Sequence, residues 1–324
     1  MTRFPTLAAL AQADHDTVLK HWEGLGYYRR AMHLHRAAKQ VVFEFGGVMP
    51  DSAAGLRTLP GFGAYTSAAV ASIAFGEAAA AVDGNVARVI ARLFSVEHDV
   101  LSSAGRAAIQ TLADALVDRR RPGDFNQAWM DLGSAVCTPR TPNCPKCPLR
   151  AHCAAAAEDR AEQLPVRSRP RAPRKVTCAA AIISRGRDVL VRQRPTGGLW
   201  SGLFEFPTVE RIAGESAANA LTRLLDECRL PGEKAAPRRL GHIDHQLTHR
   251  TMRFEVFGVR LLRVGRSAAT APMRWATSDD LAALSLSTAH RRIQRLAESV
   301  GALGGGEDAG AGPTRLRKPR SRRG

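Results

Sequence analysis

The chain has 324 residues, 44% of them hydrophobic, which is enough for two domains with buried cores. No run of about 18 apolar residues predicts a membrane span, and the first residues lack the apolar stretch of a signal peptide. The formal charge is +17, but segments 165–175 and 315–324 hold eleven of the 47 basic residues and no acids, which leaves 36 basic against 30 acidic residues elsewhere. This distribution fits a nucleic-acid-binding protein without proving one.

Residues 1–50 are predicted to be helical. The glycines of Gly24-Leu25-Gly26-Tyr27-Tyr28 interrupt the pattern, and a second helix resumes with a 3.6-residue apolar rhythm. One of the two tyrosines is expected to pack inward. Tyr27 is then either a core aromatic or an exposed ring with a function.

Residues 51–75 predict a helix, a glycine hairpin and a second helix. Asp51-Ser52 can cap a helix that runs to about Leu59, Pro60 and Gly61 end it, and a second helix runs from Tyr65 to Phe75. Gly63 is expected to take a positive φ. Without side chains on Gly61 and Gly63, a phosphate could approach the N–H groups that begin the second helix. An ordinary helix–helix turn would give the same pattern.

Asp83 precedes a further helical run, Val86 to Phe94. A carboxylate at a helix N-terminus is stabilised in its charged form, and it can also be a simple N-cap. Both roles are compatible with one residue.

Residues 101–136 continue the helical pattern and lead to four closely spaced cysteines. Four thiolates at such separations suit a metal or a cluster, with zinc and iron–sulfur both possible from chemistry alone, whereas disulfides are disfavoured without secretion. Two further cysteines, Cys178 and Cys228, are expected to be buried thiols. The four ligand candidates are Cys137, Cys144, Cys147 and Cys153.

A proline- and arginine-rich linker, 161–175, precedes a change to an α+β pattern. Strands are predicted at 176–183, 189–193, 238–243 and 253–262, and helices at 216–228, 278–284 and 289–300. The Gly/Ala-rich and Arg-rich residues 301–324 are predicted to be a disordered basic tail.

The string Leu59-Pro60-Gly61-Phe62-Gly63-Ala64-Tyr65-Thr66, with Val82-Asp83-Gly84-Asn85, resembles the helix–hairpin–helix DNA glycosylases of the endonuclease III superfamily, and most closely the adenine glycosylases of the MutY type. The resemblance implies that the hairpin holds a DNA phosphate and that a tyrosine wedges into the duplex beside the damaged guanine. It also implies an aspartate that supports a cationic sugar, with two neighbours that orient it. The implied residues are Gly61, Gly63 and Thr66 for the phosphate, Tyr27 for the wedge, and Asp83, Tyr65 and Asn85 for catalysis.

Tyr65 distinguishes between relatives. Bifunctional members of the superfamily have a lysine at this position, which attacks the sugar and leads to strand cleavage through a Schiff base. A tyrosine cannot form an imine. The sequence therefore predicts a monofunctional enzyme that removes a base without cutting the backbone.

The spacing C-x6-C-x2-C-x5-C over 137–153 is the one that the superfamily uses for a [4Fe–4S] cluster, which would have a structural role here. Leu-Trp-x-Gly-Leu-x-x-Phe-Pro at 199–207 resembles the Nudix-like C-terminal domain of MutY-type enzymes. An active Nudix hydrolase, the second alternative function, is disfavoured because the matching helix offers only Asp226 and Glu227 for divalent metal.

The segment His245-Gln246-Leu247-Thr248-His249 resembles the Phe-Ser-His loop that senses 8-oxoguanine in the family. Thr248 can replace the serine hydroxyl and His249 matches the histidine, but Leu247 departs from the aromatic residue. A strand-edge turn with a solvated histidine is the alternative interpretation.

The family also carries a catalytic glutamate, in a Glu-x-x-x-x-Gln-Gln-Thr-like stretch upstream of the Gly-Leu-Gly-Tyr-Tyr segment. The sequence has no such stretch, and Glu23 and Glu44 lie in the wrong motifs to replace it. A misplaced start codon and a truly truncated protein are the two explanations. The first alternative function is accordingly a mismatch DNA-binding protein with impaired catalysis.

These inferences predict a mainly α helix–hairpin–helix glycosylase domain with an iron–sulfur loop, followed by an α+β Nudix-like domain. The expected boundaries are 1–160, a linker at 161–175, 176–300, and the tail at 301–324. The expected partner is double-stranded DNA with adenine opposite 8-oxoguanine or guanine. The protein is expected to be a cytoplasmic, nucleoid-associated monomer that does not bind membranes.

Overall fold

The computed structural model describes residues 2–168, 172–262 and 272–303, and the predicted tail lies almost entirely outside them. The chain forms two compact units, the first made of residues 1–18 and 29–171, the second of residues 19–28 and 172–324. The short segment 19–28 therefore belongs with the C-terminal half, which a division into consecutive stretches of sequence does not anticipate. In the described ranges, no helix has both the length and the apolar character that crossing a membrane requires.

The N-terminal half is helical. Its second helix ends inside the segment 19–28, and two short 3-10 turns, Cys144–Lys146 and Arg150–His152, lie among the cysteines. The helices are α1 (Leu7–Gln12), α2 (His15–His21), α3 (Arg29–Glu44), α4 (Ala53–Leu56), α5 (Ala64–Phe75), α6 (Gly84–Leu93), α7 (Ser103–Leu116), α8 (Pro122–Ala135) and α9 (Ala154–Ala157).

Helix α8 organises this unit because both α5 and α6 pack against it. Two glycines on α8 make the approach possible. A Cβ on Gly133 would lie 2.7 Å from the Cβ of Asn85, and one on Gly123 would lie 3.0 Å from the backbone of Ile73. Since real Cβ atoms do not approach so closely at Gly133, a larger residue there would push α6 away from α8.

The C-terminal unit is built on a mixed sheet. Its strands are β1 (Arg174–Arg185), β2 (Asp188–Gln193), β3 (Phe204–Glu205), β4 (Thr208–Glu210), β5 (Arg238–Gln246), β6 (Arg250–Arg260) and β7 (Met273–Ala276), and its helices are α10 (Ala217–Glu227), α11 (Ser278–Ala283) and α12 (Thr288–Ser299). The strand order is β3-β2-β1-β6-β5, with β4 paired to β1 and β7 to β2. Strands β1 and β6 run parallel, and the other pairs are antiparallel.

Strand β1 is the centre of this sheet, and its six consecutive buried residues, 178–183, match a strand covered on both faces. Cys178 lies in this run and Cys228 follows α10, and both thiols are buried as expected. Burial raises the pKa of Cys178 to about 12. The fold class and its order along the chain are therefore as predicted, whereas β3, β4 and β7 have two to four residues each and were not predicted.

The first part of the predicted linker is held in place. Leu164 is buried, and its carbonyl accepts a 2.9 Å hydrogen bond from Arg92 Nε. Val100 N donates to the carbonyl of Val166 at 3.1 Å, and Ser168 N donates to Asp99 Oδ2 at 3.2 Å. Tertiary contacts therefore hold the predicted linker against the N-terminal unit at Leu164, Val166 and Ser168.

A buried ionic cluster lies in the C-terminal unit around Glu205, whose side chain is 1% exposed. Arg192 Nη2 and Arg194 Nη1 donate to its two oxygens at 2.7 and 2.6 Å, and His290 Nε2 lies 3.5 Å away. Burial acts to raise the pKa of Glu205, but His290 and the two arginines outweigh it and lower the pKa to about 2. The ionised carboxylate therefore stabilises the fold.

We predict that Glu205→Gln lowers the free energy of unfolding by about 3 kcal/mol at pH 7, because the two arginines lose a buried counter-charge. A carboxyl group with a depressed folded pKa stabilises above its unfolded value and less as the pH falls. The unaltered protein and Glu205→Gln should therefore differ fully in free energy of unfolding above about pH 4.5. The difference should shrink as the pH falls toward about 2, and urea unfolding across that range measures it.

The matched control is Glu210→Gln, which removes the partner of Arg174 in an exposed pair. Its effect should stay within about 0.5 kcal/mol. Equal effects of the two substitutions would contradict the assignment of Glu205 to the core.

Candidate active site

The hairpin between α4 and α5 closes tightly on helix α3. Gly61 has φ +86°, and a Cβ built there would lie 2.6 Å from the Cβ of His33. Only glycine fits both the conformation and the space. The expectation for Gly63 is wrong: its φ is −78°, because it is the extended N-cap residue of α5 and needs no left-handed conformation.

The first turn of α5 is suited to bind an anion. Gly63 has no side chain with which to cap the helix, so the N–H groups of the first turn, which includes Tyr65 and Thr66, are available to a ligand. The positive end of the helix dipole points the same way. The structure thus offers the backbone geometry that phosphate binding by Gly61, Gly63 and Thr66 requires, and their role itself stays a prediction.

Asp83 is the N-cap of α6. Its Oδ1 accepts hydrogen bonds from Asn85 N at 2.8 Å and Val86 N at 2.7 Å, and its Oδ2 accepts one from Asn85 Nδ2 at 3.2 Å. The carboxylate is half-buried and orientated by N–H donors on one side. Capping does not exclude a chemical role, since a carboxylate oxygen has more than one lone pair.

Asn85 in turn is held by a buried arginine from the next turn of α6. Arg88 Nη2 donates to Asn85 Oδ1 at 3.0 Å and to the carbonyl of Gly133 at 2.6 Å, and Arg88 Nε donates to the carbonyl of Cys137 at 2.8 Å. Burial is the main cause that lowers the pKa of Arg88. A continuous hydrogen-bonded chain therefore joins the carboxylate of Asp83 to the first cysteine of the loop.

A second buried arginine, one turn further along α6, reaches the same cysteine. Arg92 Nη1 donates to Cys137 Sγ at 3.2 Å and to the carbonyl of Thr138 at 2.8 Å, and Nη2 donates to that of Pro139 at 3.1 Å. Arg92 is only 1% exposed. Helix α6 thus presents Asp83 at its N-terminus and contacts the cysteine loop through its buried face.

The four predicted ligands, Cys137, Cys144, Cys147 and Cys153, line a single cavity with apolar walls. Burial raises the pKa of Cys153, and the proximity of the other three thiols adds to this rise. In the described part of the chain, no three His, Cys, Asp or Glu side chains are arranged to hold a metal ion. The four sulfurs therefore share one cavity.

Tyr65, on the first turn of α5, donates from its hydroxyl to the sulfur of Met130 on α8 at 3.3 Å and is 40% exposed. It is thus positioned by the same helix that packs on α6. Asp83 is hydrogen-bonded directly to Asn85. Tyr65 instead contacts Met130 of α8, the helix against which α6 packs.

The C-terminal unit carries the remaining predicted residues. Leu247 N donates to the carbonyl of Arg250 at 2.8 Å and closes a tight turn between β5 and β6, with Thr248 and His249 exposed at its tip. Tyr27, from the segment 19–28, is 72% exposed, and its hydroxyl lies 3.4 Å from Thr248 Oγ1. Tyr28 is the inward-packed neighbour.

Sequence reasoning missed three residues of this region: His33, Arg88 and Arg92. The signal for both arginines was a positive charge on the apolar face of a helix. A charge in that position needs buried acceptors, which here come from carbonyls far along the chain.

Two regions of the chain match models of known protein families. A family model described as HhH-GPD superfamily base excision DNA repair protein matches residues 1–113, and a NUDIX domain model matches residues 178–296.

Individual relatives identify the family to which the chain belongs. The chain is 33% identical to the adenine DNA glycosylase of Homo sapiens (91% of this chain, 63% of that protein) and 34% identical to that of Rattus norvegicus (92% and 67%). It is 35% identical to that of Arabidopsis thaliana (90% and 51%). The chain belongs to the adenine DNA glycosylase family, and it spans between half and two thirds of the length of these relatives.

We predict that Arg88→Met lowers the free energy of unfolding by about 3 kcal/mol, because buried carbonyls of Gly133 and Cys137 lose their donor. Urea unfolding measures the loss. The control is Arg36→Met, which replaces an exposed arginine of α3 and should change stability by less than about 0.5 kcal/mol. A neutral Arg88→Met would show that the chain of hydrogen bonds does not support the structure.

Proposed function

We propose that the protein is a monofunctional DNA N-glycosylase that removes adenine mispaired with 8-oxoguanine or guanine. The observation that carries this proposal is the carboxylate of Asp83, held by the backbone and side chain of Asn85 at the N-terminus of α6, in a chain of the adenine DNA glycosylase family. The mismatch-binding protein without excision is the alternative outcome of the test below.

The reaction requires that adenine leave the base stack, at a cost of a few kcal/mol. Protonation of the flipped base then allows the glycosidic bond to break, with its electron pair leaving on the base. The sugar becomes oxocarbenium-like, and a nearby anion stabilises it until water adds to the anomeric carbon and releases a proton to the solvent. Asp83 supplies that anion, and Asn85 fixes its direction. Because Asp83 serves as the anion, the proton comes from a different donor.

Base removal without strand cleavage follows from Tyr65. Strand cleavage through a Schiff base needs an amine at the sugar, and a phenol cannot supply one. The hydroxyl of Tyr65 is held by Met130, and the exposed ring is available to line the nucleotide pocket. Tyr65 thus orients the sugar together with Asn85.

Recognition of DNA divides between the two units. The hairpin with Gly61, Gly63 and Thr66 offers backbone N–H groups to a phosphate, which positions the duplex without reading sequence. Tyr27 and the exposed turn of Thr248 and His249 offer an aromatic ring and hydrogen-bonding groups to the damaged guanine. Leu247 is half-buried at the base of that turn and contributes packing instead of stacking.

Four thiolates can hold either a zinc ion or an iron–sulfur cluster, and the sulfurs of Cys137, Cys144, Cys147 and Cys153 line one cavity. Their C-x6-C-x2-C-x5-C spacing, which the endonuclease III superfamily uses for a cluster, favours the cluster. We propose that they hold a [4Fe–4S] cluster. The bound group would fix the loop that carries Arg140, Lys146 and Arg150 and would not take part in hydrolysis.

We predict that protein purified without oxygen contains iron and acid-labile sulfide, about four of each per chain, and absorbs broadly toward the blue end of the visible range. Cys147→Ser should lose most of the iron. Cys228→Ala, which alters a buried thiol of the other unit, should keep it. Stoichiometric zinc in the unaltered protein would refute the cluster.

The activity itself is tested by single-turnover excision on a duplex with one 8-oxoguanine:adenine pair. We expect alkali-labile sites, intact strands without alkali, and no covalent complex on borohydride treatment. Asp83→Asn should slow excision by at least about 100-fold, because the developing positive charge loses its counter-ion.

The control is Asp124→Asn, which alters an exposed aspartate in the first turn of α8 and should leave the rate unchanged. Tight binding of the mismatch without any excision would favour the binding-protein alternative, and a trapped covalent complex would contradict the monofunctional mechanism.

A further inference from the structure

The segment 19–28, which carries the predicted wedge residue, is bound to the C-terminal unit by a half-buried ion pair. Both carboxylate oxygens of Glu23 accept hydrogen bonds from Arg291 on α12, one from Nε and one from Nη2 at 3.1 Å. The side chains of Glu23 and Arg291 are 19% and 17% exposed. Two parallel bonds between a carboxylate and a guanidinium fix orientation as well as distance.

The guanidinium of Arg291 has its direction set by other groups. Its Nη1 donates to the carbonyl of Leu281 at 2.8 Å, and its Nη2 donates to that of Leu284 at 2.6 Å. Lys20 Nζ donates to Glu23 Oε2 at 2.7 Å and to the carbonyl of Leu284 at 3.2 Å, and so contacts both Glu23 and a carbonyl that Arg291 also binds. Glu23 therefore meets a guanidinium that two backbone carbonyls orient, and Lys20 of the same segment adds a second cation beside the carboxylate.

The electrostatics agree with this geometry. Burial acts to raise the pKa of Glu23, yet the hydrogen bonds from Arg291 and Lys20 outweigh burial and hold the pKa below its usual range. The pair stays ionised at neutral pH.

The backbone between Glu23 and Tyr27 passes through two glycines. Trp22 Nε1 donates to the carbonyl of the second glycine, Gly26, at 2.9 Å, and Tyr28 is buried beside Tyr27. Gly24 and Gly26 have φ of +90° and +69°, and Tyr27 has a φ of +46°, which is unusual for a residue with a side chain. The ring of Tyr27 is 72% exposed, so packing does not hold it. Its place beside Thr248, with 3.4 Å between the two hydroxyl oxygens, depends on where the segment is anchored.

We propose that Glu23 and Arg291 are positioning residues that dock the segment 19–28 on the C-terminal unit, so that Tyr27 and Thr248 form one surface for recognising the damaged base pair. This inference rests on the proposed function. It assigns discrimination between damaged and undamaged DNA to an ion pair that contacts neither base.

The test compares dissociation constants of the full chain for two duplexes, one with 8-oxoguanine:adenine and one with thymine:adenine at the same position. Glu23→Gln and Arg291→Gln should each reduce the preference for the damaged duplex by about tenfold, because a charge-assisted, half-buried bond is lost. Affinity for the thymine:adenine duplex should stay the same. The matched controls, Glu44→Gln and Arg295→Gln, alter exposed residues of α3 and α12 and should change neither constant.

Two further measurements separate positioning from mere stabilisation. In a Tyr27→Ala background, Glu23→Gln should cause no additional loss of preference, because the pair acts through Tyr27. Amide hydrogen exchange in Glu23→Gln should become faster in residues 24–28 and stay unchanged in β1. Additive losses, or faster exchange throughout the unit, would overturn the proposal.

The result also distinguishes this inference from the proposed function. If the unaltered chain does not prefer the damaged duplex, the proposed lesion specificity fails, and the exchange measurement still tests the anchor. If it does prefer that duplex and Glu23→Gln leaves the preference unchanged, only the inference fails.

Discussion

The hydrogen bonds of Arg88 are the constraint on which the candidate site depends. This arginine lies on the buried face of α6, and it binds Asn85, the carbonyl of Gly133 on α8 and the carbonyl of Cys137. A guanidinium has five donors and no acceptor, so it suits a position surrounded by carbonyl oxygens. Through it, the packing of two helices and the start of the cysteine loop determine how Asn85 faces Asp83. The carboxylate of Asp83 is therefore positioned by contacts among α6, α8 and the start of the cysteine loop.

The C-terminal unit matches a Nudix domain over residues 178–296. Its helix α10 ends with Asp226 and Glu227. Arg223 of that helix donates hydrogen bonds to Glu215 and to the carbonyl of Glu210. The unit instead buries an ionic cluster around Glu205 and exposes the turn at Thr248. The segment 19–28 joins this unit across more than 200 residues of sequence, as the contact from Tyr27 to Thr248 shows. The proposed recognition surface thus combines residues that lie far apart in the sequence.

Features that depend on residues close together in the sequence were predictable. Ser52 and Asp83 were expected to cap helices and do so, because capping depends on neighbouring residues. Gly63 was misjudged because two glycines so close together give no sign of which one takes the left-handed turn. The roles of Arg88 and Arg92, the ordering of Leu164 and the docking of Glu23 were beyond sequence reasoning, since each partner lies far away along the chain. The short strands β3, β4 and β7 depend on pairing and have too few residues for a periodic pattern.

The central claim is that Asp83 supports the sugar of a flipped adenine nucleotide while the hairpin holds the backbone. The most direct measurement is a crystal structure of the chain with a duplex that carries an uncleavable adenosine analogue opposite 8-oxoguanine. The account predicts that the Asp83 carboxylate faces the anomeric carbon of the flipped sugar, that N–H groups after Gly61 contact a phosphate, and that Tyr27 lies beside 8-oxoguanine. An analogue that remains stacked, or a flipped sugar bound away from Asp83, would contradict it.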